Sequence, residues 1–554
     1  MVSKNSATDS VSTEDVPKPK INLDTILIEE IGQFGKYQIR ILILAVVIII
    51  FTAFAAMEYI FTTGRIGTRC LIPECEGKKA EQFSPVWLPN AVPTSGSSFD
   101  NCQRFASANN TREVASDECP QHWFNRDSLV ACSHHVYENT NTVVYEYDLG
   151  CDEWSRTLIG SIRTVGTLTS LPITGFLSDH WGRRFALSWN AVNVAWMGIL
   201  RYWANTYYGF LISEVAESTF GAGAFSCAYI LVMELVGPKY RVVAGAIINT
   251  FFSCGQILLG LLAWAVPHWR NLTLTLYVPQ LVVISYFWIM SESVRWYMSK
   301  GRYAEAEVLL RDVARVNKGE LSEKSLQALK DSAELEKRQK ESLGGTKVRE
   351  PWLPVLVFRH KAILKRCCVS PIWWITSALV YYGMSINSVN MSGNRYVNFI
   401  AVAASEIPGY WLAVLLMDRI GRKPVLIGAY WICAACQLAY IFIPDNMYGI
   451  SLTVYLVGKF SIAIVMMSLY IYTAEIYPTK CRHSLLAFSS MIGRLGSIVA
   501  PLTPAFGAAI WHHFPSALFL GFAFTSGLLV FLTPETLGTR LPDTMEEASK
   551  LGTA

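Results

Sequence analysis

The sequence predicts an all-α integral membrane protein, twelve helices arranged as two six-helix bundles. Three observations predict it. Of the 554 residues, 52% are hydrophobic and only 16% are charged, whereas a soluble domain carries about 25% charged residues. Twelve apolar windows, each suited to a hydrocarbon core of ~30 Å, fall into two groups of six. A charged cassette also occurs twice. Asp179-His180-Trp181-Gly182-Arg183-Arg184 returns 239 residues later as Asp418-Arg419-Ile420-Gly421-Arg422-Lys423. Glu234, followed by Arg241, returns as Glu475 and Arg482, and Ser291-Glu292-Ser293 returns weakly as Pro534-Glu535-Thr536. Internal duplication with short charged connectors implies a membrane carrier that passes its substrate between two halves.

Along the chain, residues 1–40 are polar and carry no cleavable signal pattern, so they form an N-terminal segment. The first span covers 41–62. Residues 63–153 form a polar insert with six cysteines, Cys70, Cys75, Cys102, Cys119, Cys132 and Cys151. An even number in one loop predicts three disulfides, with fifteen pairings open. Asn109-Asn110-Thr111 in that loop is a glycosylation sequon. Spans two to six follow near 155–177, 185–203, 207–235, 242–265 and 272–290. A second insert, 292–366, is rich in Lys, Arg and Glu, with helical spacing at Tyr303–Lys318 and Ser322–Lys340. Spans seven to twelve lie near 371–388, 395–417, 424–443, 447–474, 484–510 and 514–532, before a tail at 533–554.

Charge orients the chain. The cysteine insert holds 7 Lys+Arg against 13 Asp+Glu, and the second insert 17 against 11. The basic side is expected to be cytoplasmic, as are Arg183, Arg184, Lys239, Arg241, Arg422, Lys423, Lys480 and Arg482 if the spans alternate. Both termini are then inside, and the cysteine loop is outside, where disulfides form.

The residues at these places resemble a known family. Gly175-Phe-Leu-Ser-Asp179-His-Trp-Gly-Arg-Arg184 is similar to the loop motif between the second and third spans of the major facilitator superfamily. Ile31-Gly-Gln-Phe-Gly35, the cysteine-rich loop, Ala265-Val-Pro-His-Trp-Arg270, Glu292-Ser-Val-Arg-Trp296 with Gly301-Arg302, Glu406-Ile-Pro-Gly409, Glu475-Ile-Tyr-Pro478 and Pro534-Glu-Thr-Leu-Gly538 resemble its organic cation, anion and carnitine transporter family of solute carriers. The resemblance covers about residues 25–545. Ser291 and His180 depart from the family pattern, which expects a Pro and a basic residue there. Tyr59-Ile-Phe-Thr-Thr63 and Arg69-Cys-Leu-Ile-Pro-Glu-Cys75 resemble invertebrate members that handle carcinine or β-alanine. The resemblance implies a twelve-helix major facilitator fold, alternating access, a small organic ion as substrate and a plasma-membrane location.

It also implies a gate. Asp179, Arg183, Arg184, Glu234, Arg241, Glu292 and Arg295 in the first half, with Asp418, Arg422, Glu475 and Arg482 in the second, are expected to form an ion-pair network closing the inner side. The other reading is that they set topology and cap helices.

Ionisable residues deep in spans are costly in lipid and usually functional. Glu406 lies ~18 Å from Asp418 and Arg494 ~18 Å from Arg482, both near the bilayer midplane. Arg494 suits a carboxylate-bearing substrate bidentately, or else pairs with Glu406. The family carries Asp there in cation transporters and Arg in anion and carnitine transporters. Glu58 and Arg163 lie nearer the outer surface and read as an ion pair, with Glu58 also a candidate for the vestibule. Tyr381 and Tyr382 are candidates for cation–π contact with an ammonium group, with Tyr229 and Gln256 as further cavity candidates. Trp373 and Trp374 read equally as an interfacial belt.

No nucleophile elbow, phosphate loop, H-E-x-x-H pattern or basic patch interleaved with aromatics is present. The sequence therefore predicts no enzyme, no metal, no cofactor and no nucleic-acid partner. Lacking a Walker motif, transport is expected to run on gradients; a co-transported ion is left open. The alternatives are an organic anion transporter, a sugar porter, and a receptor or scaffold of the same fold. The cysteine loop and the central Glu and Arg speak against the sugar porter, and two matched cassettes against the scaffold.

Overall fold

The computed structural model describes residues 23–76, 82–95, 98–99, 102–108, 119–331, 334, 353–444, 446–479, 481–539, 542 and 545–551. The sequon at Asn109, Lys480 and the proposed helical stretch beyond 334 lie outside the described residues.

Each of the twelve apolar windows contains a helix. The first half has α1 (Lys36–Met57, with a further turn at Tyr59–Thr62), α2 (Glu153–Trp181), α3 (Arg183–Leu200), α4 (Tyr207–Gly221, continuing as Ala224–Leu235), α5 (Arg241–Ala265) and α6 (Trp269–Tyr277, continuing through Pro279–Ser285 to Tyr286–Ile289). The second half has α7 (Lys361–Ser388), α8 (Arg395–Ile420), α9 (Arg422–Phe442), α10 (Tyr448–Ile476), α11 (Arg482–Val499, continuing to Thr503–Ala509) and α12 (Phe514–Val530). Nine of these stretches are long and apolar enough to cross a membrane, and α12 is a shorter apolar helix. The two that fall below that limit, α2 and α3, carry buried polar groups. Arg163, Ser170 and Thr174 lie on one and Asn190 and Asn193 on the other, which are affordable in lipid only when turned inward.

The chain divides into two compact units. One comprises residues 1–40, 234–240 and 293–350. Its described part contains the helices Val294–Ser299 and Tyr303–Asn317. Asn317 fastens it, accepting from the Tyr37 backbone N–H at 2.9 Å and donating to Gln38 Oε1 at 2.9 Å. Arg295 pairs with Asp24 at 2.5 Å.

The other unit holds the membrane helices and the cysteine loop. α2 packs on α4 and α11, α5 on α8, α7 on α11, and α9 on α10 and α12. The α2–α11 and α5–α8 contacts join the halves. In the loop, Thr68–Cys70 pairs antiparallel with His135–Tyr137, and Gln103–Ser107 with Phe124–Ala131. All six loop cysteines pair, as Cys70–Cys132, Cys75–Cys119 and Cys102–Cys151. They enclose a small core with Ile72, Leu88, Val92 and Trp123, which a loop this size lacks the apolar area to hold unaided.

Candidate functional site

A cavity of about 370 Å³ lies between the halves. Polar groups enter it from both sides: Arg163 and Thr167 from α2, Glu217 from α4, Asn249 from α5, and Ser490 and Arg494 from α11. The aromatic wall is Tyr59, Phe225, Phe252, Trp374, Tyr381, Tyr382, Tyr410 and Tyr470. At the cysteine-loop end the halves are packed together. Ser161 Oγ donates to the Ile498 carbonyl at 2.8 Å, the Phe61 ring sits edge-on to Phe399 at 4.9 Å, and Arg395 Nη1 donates to the Arg65 carbonyl at 3.1 Å.

Of the sequence candidates, Arg494, Tyr381 and Tyr382 line the cavity. Glu406 stands one layer behind, fully buried. Its Oε1 lies 3.0 Å from Lys459 Nζ on α10. Its Oε2 accepts from Ser253 at 2.5 Å, Gln256 at 3.1 Å, Tyr381 at 2.7 Å and Tyr410 at 3.2 Å. Gln256 is thus a carboxylate partner and not a wall of the cavity, and Tyr229 stacks behind the lining residue Phe225. Lys459 also donates to the Tyr381 carbonyl and Ser385 Oγ, both at 2.7 Å, and its Nζ sits 3.6 Å from the Tyr381 ring centroid. One face of the Tyr381 ring is therefore already taken by a cation. Arg494, only partly buried, makes no hydrogen bond or ion pair among the described residues; Lys459, not Arg494, neutralises Glu406. The belt reading fails for both tryptophans: Trp373 is fully buried against Tyr472, and Trp374 lines the cavity.

The expected Glu58–Arg163 pair does not form. Glu58 Oε2 accepts from Arg201 at 2.5 Å and from Tyr277 at 2.6 Å, while its Oε1 accepts from Thr273 at 2.8 Å. Arg163 instead pairs with Glu214 and, at 2.9 Å, with Glu217. Arg201 closes the cluster on Glu217 and lies 3.2 Å from Glu214 Oε1. The physical reason is proximity: α4 packs directly on α2 and presents two carboxylates to Arg163. Arg201, Glu214, Glu217 and Lys459 went unrecognised in the sequence reading. The same criterion that singled out Glu406, an ionisable side chain inside an apolar window, would have found them.

The cassettes have matching geometry. Gly182 and Gly421 stand between helices at φ 106° and 102°, a region glycine enters without steric cost. Each turn starts a new helix whose first two N–H groups lack intrahelical partners. Glu292 accepts from the Arg183 and Arg184 amides at 2.9 and 3.1 Å, and Glu535 from the Arg422 and Lys423 amides at 3.0 and 2.9 Å. A carboxylate at a helix N-terminus also meets the positive end of its dipole. Burial raises the Glu535 carboxyl, but the amides of Leu537, Thr536, Lys423 and Arg422 outweigh it and hold the group below the usual range. Arg183 pairs with Asp179 at 2.9 Å, and Arg422 with Asp418 at 3.2 Å and Glu475 at 3.1 Å. Thr536 Oγ1 donates to Glu475 at 2.5 Å. These pairs run within each half and knit its helix ends together. Glu234 closes α4, while Arg241 and Arg482 open α5 and α11.

Comparisons agree with this architecture. Residues 112–547 match the sugar (and other) transporter family. The organic cation transporter protein of Drosophila melanogaster is 31% identical over 95% of this chain and 94% of its own length. Solute carrier family 22 member 16 of Xenopus laevis is 33% identical over 77% of this chain and 75% of its own. The rat organic cation/carnitine transporter 2 is 28% identical over 93% and 92%. Among solved structures, the inward-open xylose transporter XylE from E. coli superposes with a TM-score of 0.55 at 18% identity, covering 72% of this chain and 89% of XylE. That likeness concerns the fold. With a central cavity, paired cassettes and relatives matched nearly end to end, the chain belongs to the organic cation, anion and carnitine transporter family of solute carriers in the major facilitator superfamily, a family of multi-pass carriers of small organic ions.

Proposed function

We propose that the substrate is a small organic ion carrying a carboxylate, zwitterionic or anionic, and that Arg494 receives that carboxylate. One observation carries the reading: Arg494 faces the cavity without an acidic partner among the described residues, whereas Glu406 behind the wall and Glu217 on it each contact a basic side chain. Glu406 is held by Lys459, and Glu217 by Arg163 and Arg201. A partly desolvated guanidinium favours a planar, bidentate anion. Tyr382, Trp374 and Tyr470 then offer ring faces to an ammonium group or an apolar body. Simple cations suit this wall less well. Three disulfides and an acidic surplus support an extracellular cysteine loop, with both termini cytoplasmic and the plasma membrane as location.

The test is uptake in cells of labelled β-alanine and L-carnitine, which carry a carboxylate, beside carcinine, which does not. A hydrogen bond to a charged group contributes about 1.5–3 kcal/mol, so Arg494→Asp should weaken apparent affinity for the two acids by roughly ten- to a hundredfold and spare carcinine. Equal loss for all three, at normal surface expression, would remove the assignment.

We further infer that the cassettes keep each bundle rigid while the halves rock. Glu475→Gln weakens the α10 end's hold on Arg422 and Thr536. It should lower maximal uptake several-fold with little change in apparent affinity. A change confined to affinity would count against the role.

A further inference from the structure

The cluster behind the first-half wall of the cavity has an uneven charge. Three carboxylates, Glu58, Glu214 and Glu217, meet two guanidiniums, Arg163 and Arg201. Every one of these groups is buried, and Glu58, Arg201, Glu214 and Glu217 are at 0% exposure. An uncompensated charge in such a place costs several kcal/mol, so a buried group neutralises instead. Both arginines are permanently charged, which leaves one negative charge to be matched. Among the described residues, the other titratable groups packed around the cluster supply no cation. They are Tyr59 on α1, beside Arg163 and Glu214, and Tyr277 on α6, bonded to Glu58 and Glu217; a phenol carries no positive charge in either of its forms.

A second observation concerns the carboxylate oxygens themselves. Five of the six carboxylate oxygens accept hydrogen bonds from Arg163, Arg201, Thr273 or Tyr277. The sixth, Glu214 Oε1, is buried and accepts no hydrogen bond among the described residues, although it is ion-paired with Arg201 Nη1 at 3.2 Å. A single oxygen with an ion pair but no hydrogen bond is a seat for a proton and offers far too few ligands for a metal cation, which would need several oxygens at once.

We propose that this cluster is a proton-binding site that holds one exchangeable proton, shared among its three carboxylates, and that it couples the transported ion to proton movement. Binding adds H⁺ from water to a carboxylate and brings the cluster to neutrality; release returns it to a single negative charge. Two of its members, Arg163 and Glu217, are also cavity walls, so the substrate site feels the change. If the carboxylate reading of Arg494 holds, the protonated cluster repels the substrate's carboxylate less, and proton and substrate move together. The proton site itself does not depend on that reading.

Infrared spectroscopy of the purified full-length protein without substrate tests it. A protonated buried carboxyl gives a C=O stretch distinct from carboxylate bands and shifts in D₂O. The wild-type protein should show this band at neutral pH. Glu214→Gln leaves two carboxylates for two guanidiniums, so the band should be lost while the protein stays folded. Glu58→Gln makes the same count and should lose it too, which keeps the test decisive if one variant misfolds. A wild-type protein with no such band, or variants that all retain it, would overturn the proposal.

Discussion

Replacing Lys459 with methionine is expected to cost about 3–5 kcal/mol of stability, the range for stripping one partner from a buried ion pair. Glu406 would remain fully buried with only neutral donors, Ser253, Gln256, Tyr381 and Tyr410. Those hydroxyls and the amide stabilise a carboxylate but supply no charge. The expected result is a melting temperature lowered by several degrees in detergent and reduced surface expression. The double variant Lys459→Met with Glu406→Gln should recover most of the loss, because contacting residues couple strongly and the isolated charge is gone. If the single variant melts like the wild type, or the double variant is no better than the single, the pair is not what holds α8 to α10. Function should not recover alongside stability. Through Oε2 Glu406 is bonded to Ser253 and Gln256 on α5, and so it ties the two halves at mid-depth. A glutamine there offers a weaker acceptor, and uptake by the stable double variant should stay below that of the wild type.

The architecture was legible in the sequence because lipid imposes a simple rule: backbone polar groups must be satisfied within each segment, so apolar windows become helices. The repeat at Asp179 and Asp418 then located the halves. The polar interior was less legible. Glu406 and Arg494 stood out in their windows, but their pairing depended on which helix faces meet, and the sequence order of spans does not encode that. Glu58 and Arg163 looked like partners because their spans are consecutive; α4 in fact brings Glu214 and Glu217 to Arg163, and Arg201 takes Glu58. Arg201 lies near the end of the 185–203 window and was not singled out, although it is fully buried. The repeated Glu292 and Glu535 were visible as motifs, while their bonds to the next helix's free amides needed coordinates.

Gly496→Val is expected to disable the carrier outright, through backbone against backbone. α11 lies close on α7 because Gly493 and Gly496 present no side chain there, the way small residues let membrane helices approach. A Cβ at Gly496 would come within 2.1 Å of the Ile375 carbonyl oxygen and 2.9 Å of the Leu379 nitrogen, and one at Gly493 within 2.6 Å of Trp374 Cβ. A flexible side chain could swing away from such an intrusion; a helix backbone cannot. Overpacking typically costs about 1–3 kcal/mol and occasionally more, and the rigid neighbour puts this case at the upper end. Relief requires α11 to move off α7. That displaces Arg494, which lies between the two glycines in sequence, relative to Trp374 on the cavity wall. Even a fraction that folds should therefore bind carboxylates poorly. Gly521→Val on α12 is the control, since a Cβ there meets nothing within 4 Å. Thermal stability and β-alanine uptake should fall together for Gly496→Val and stay near wild type for Gly521→Val. Should Gly496→Val match its control in both, the close α7–α11 contact would not be what positions the guanidinium.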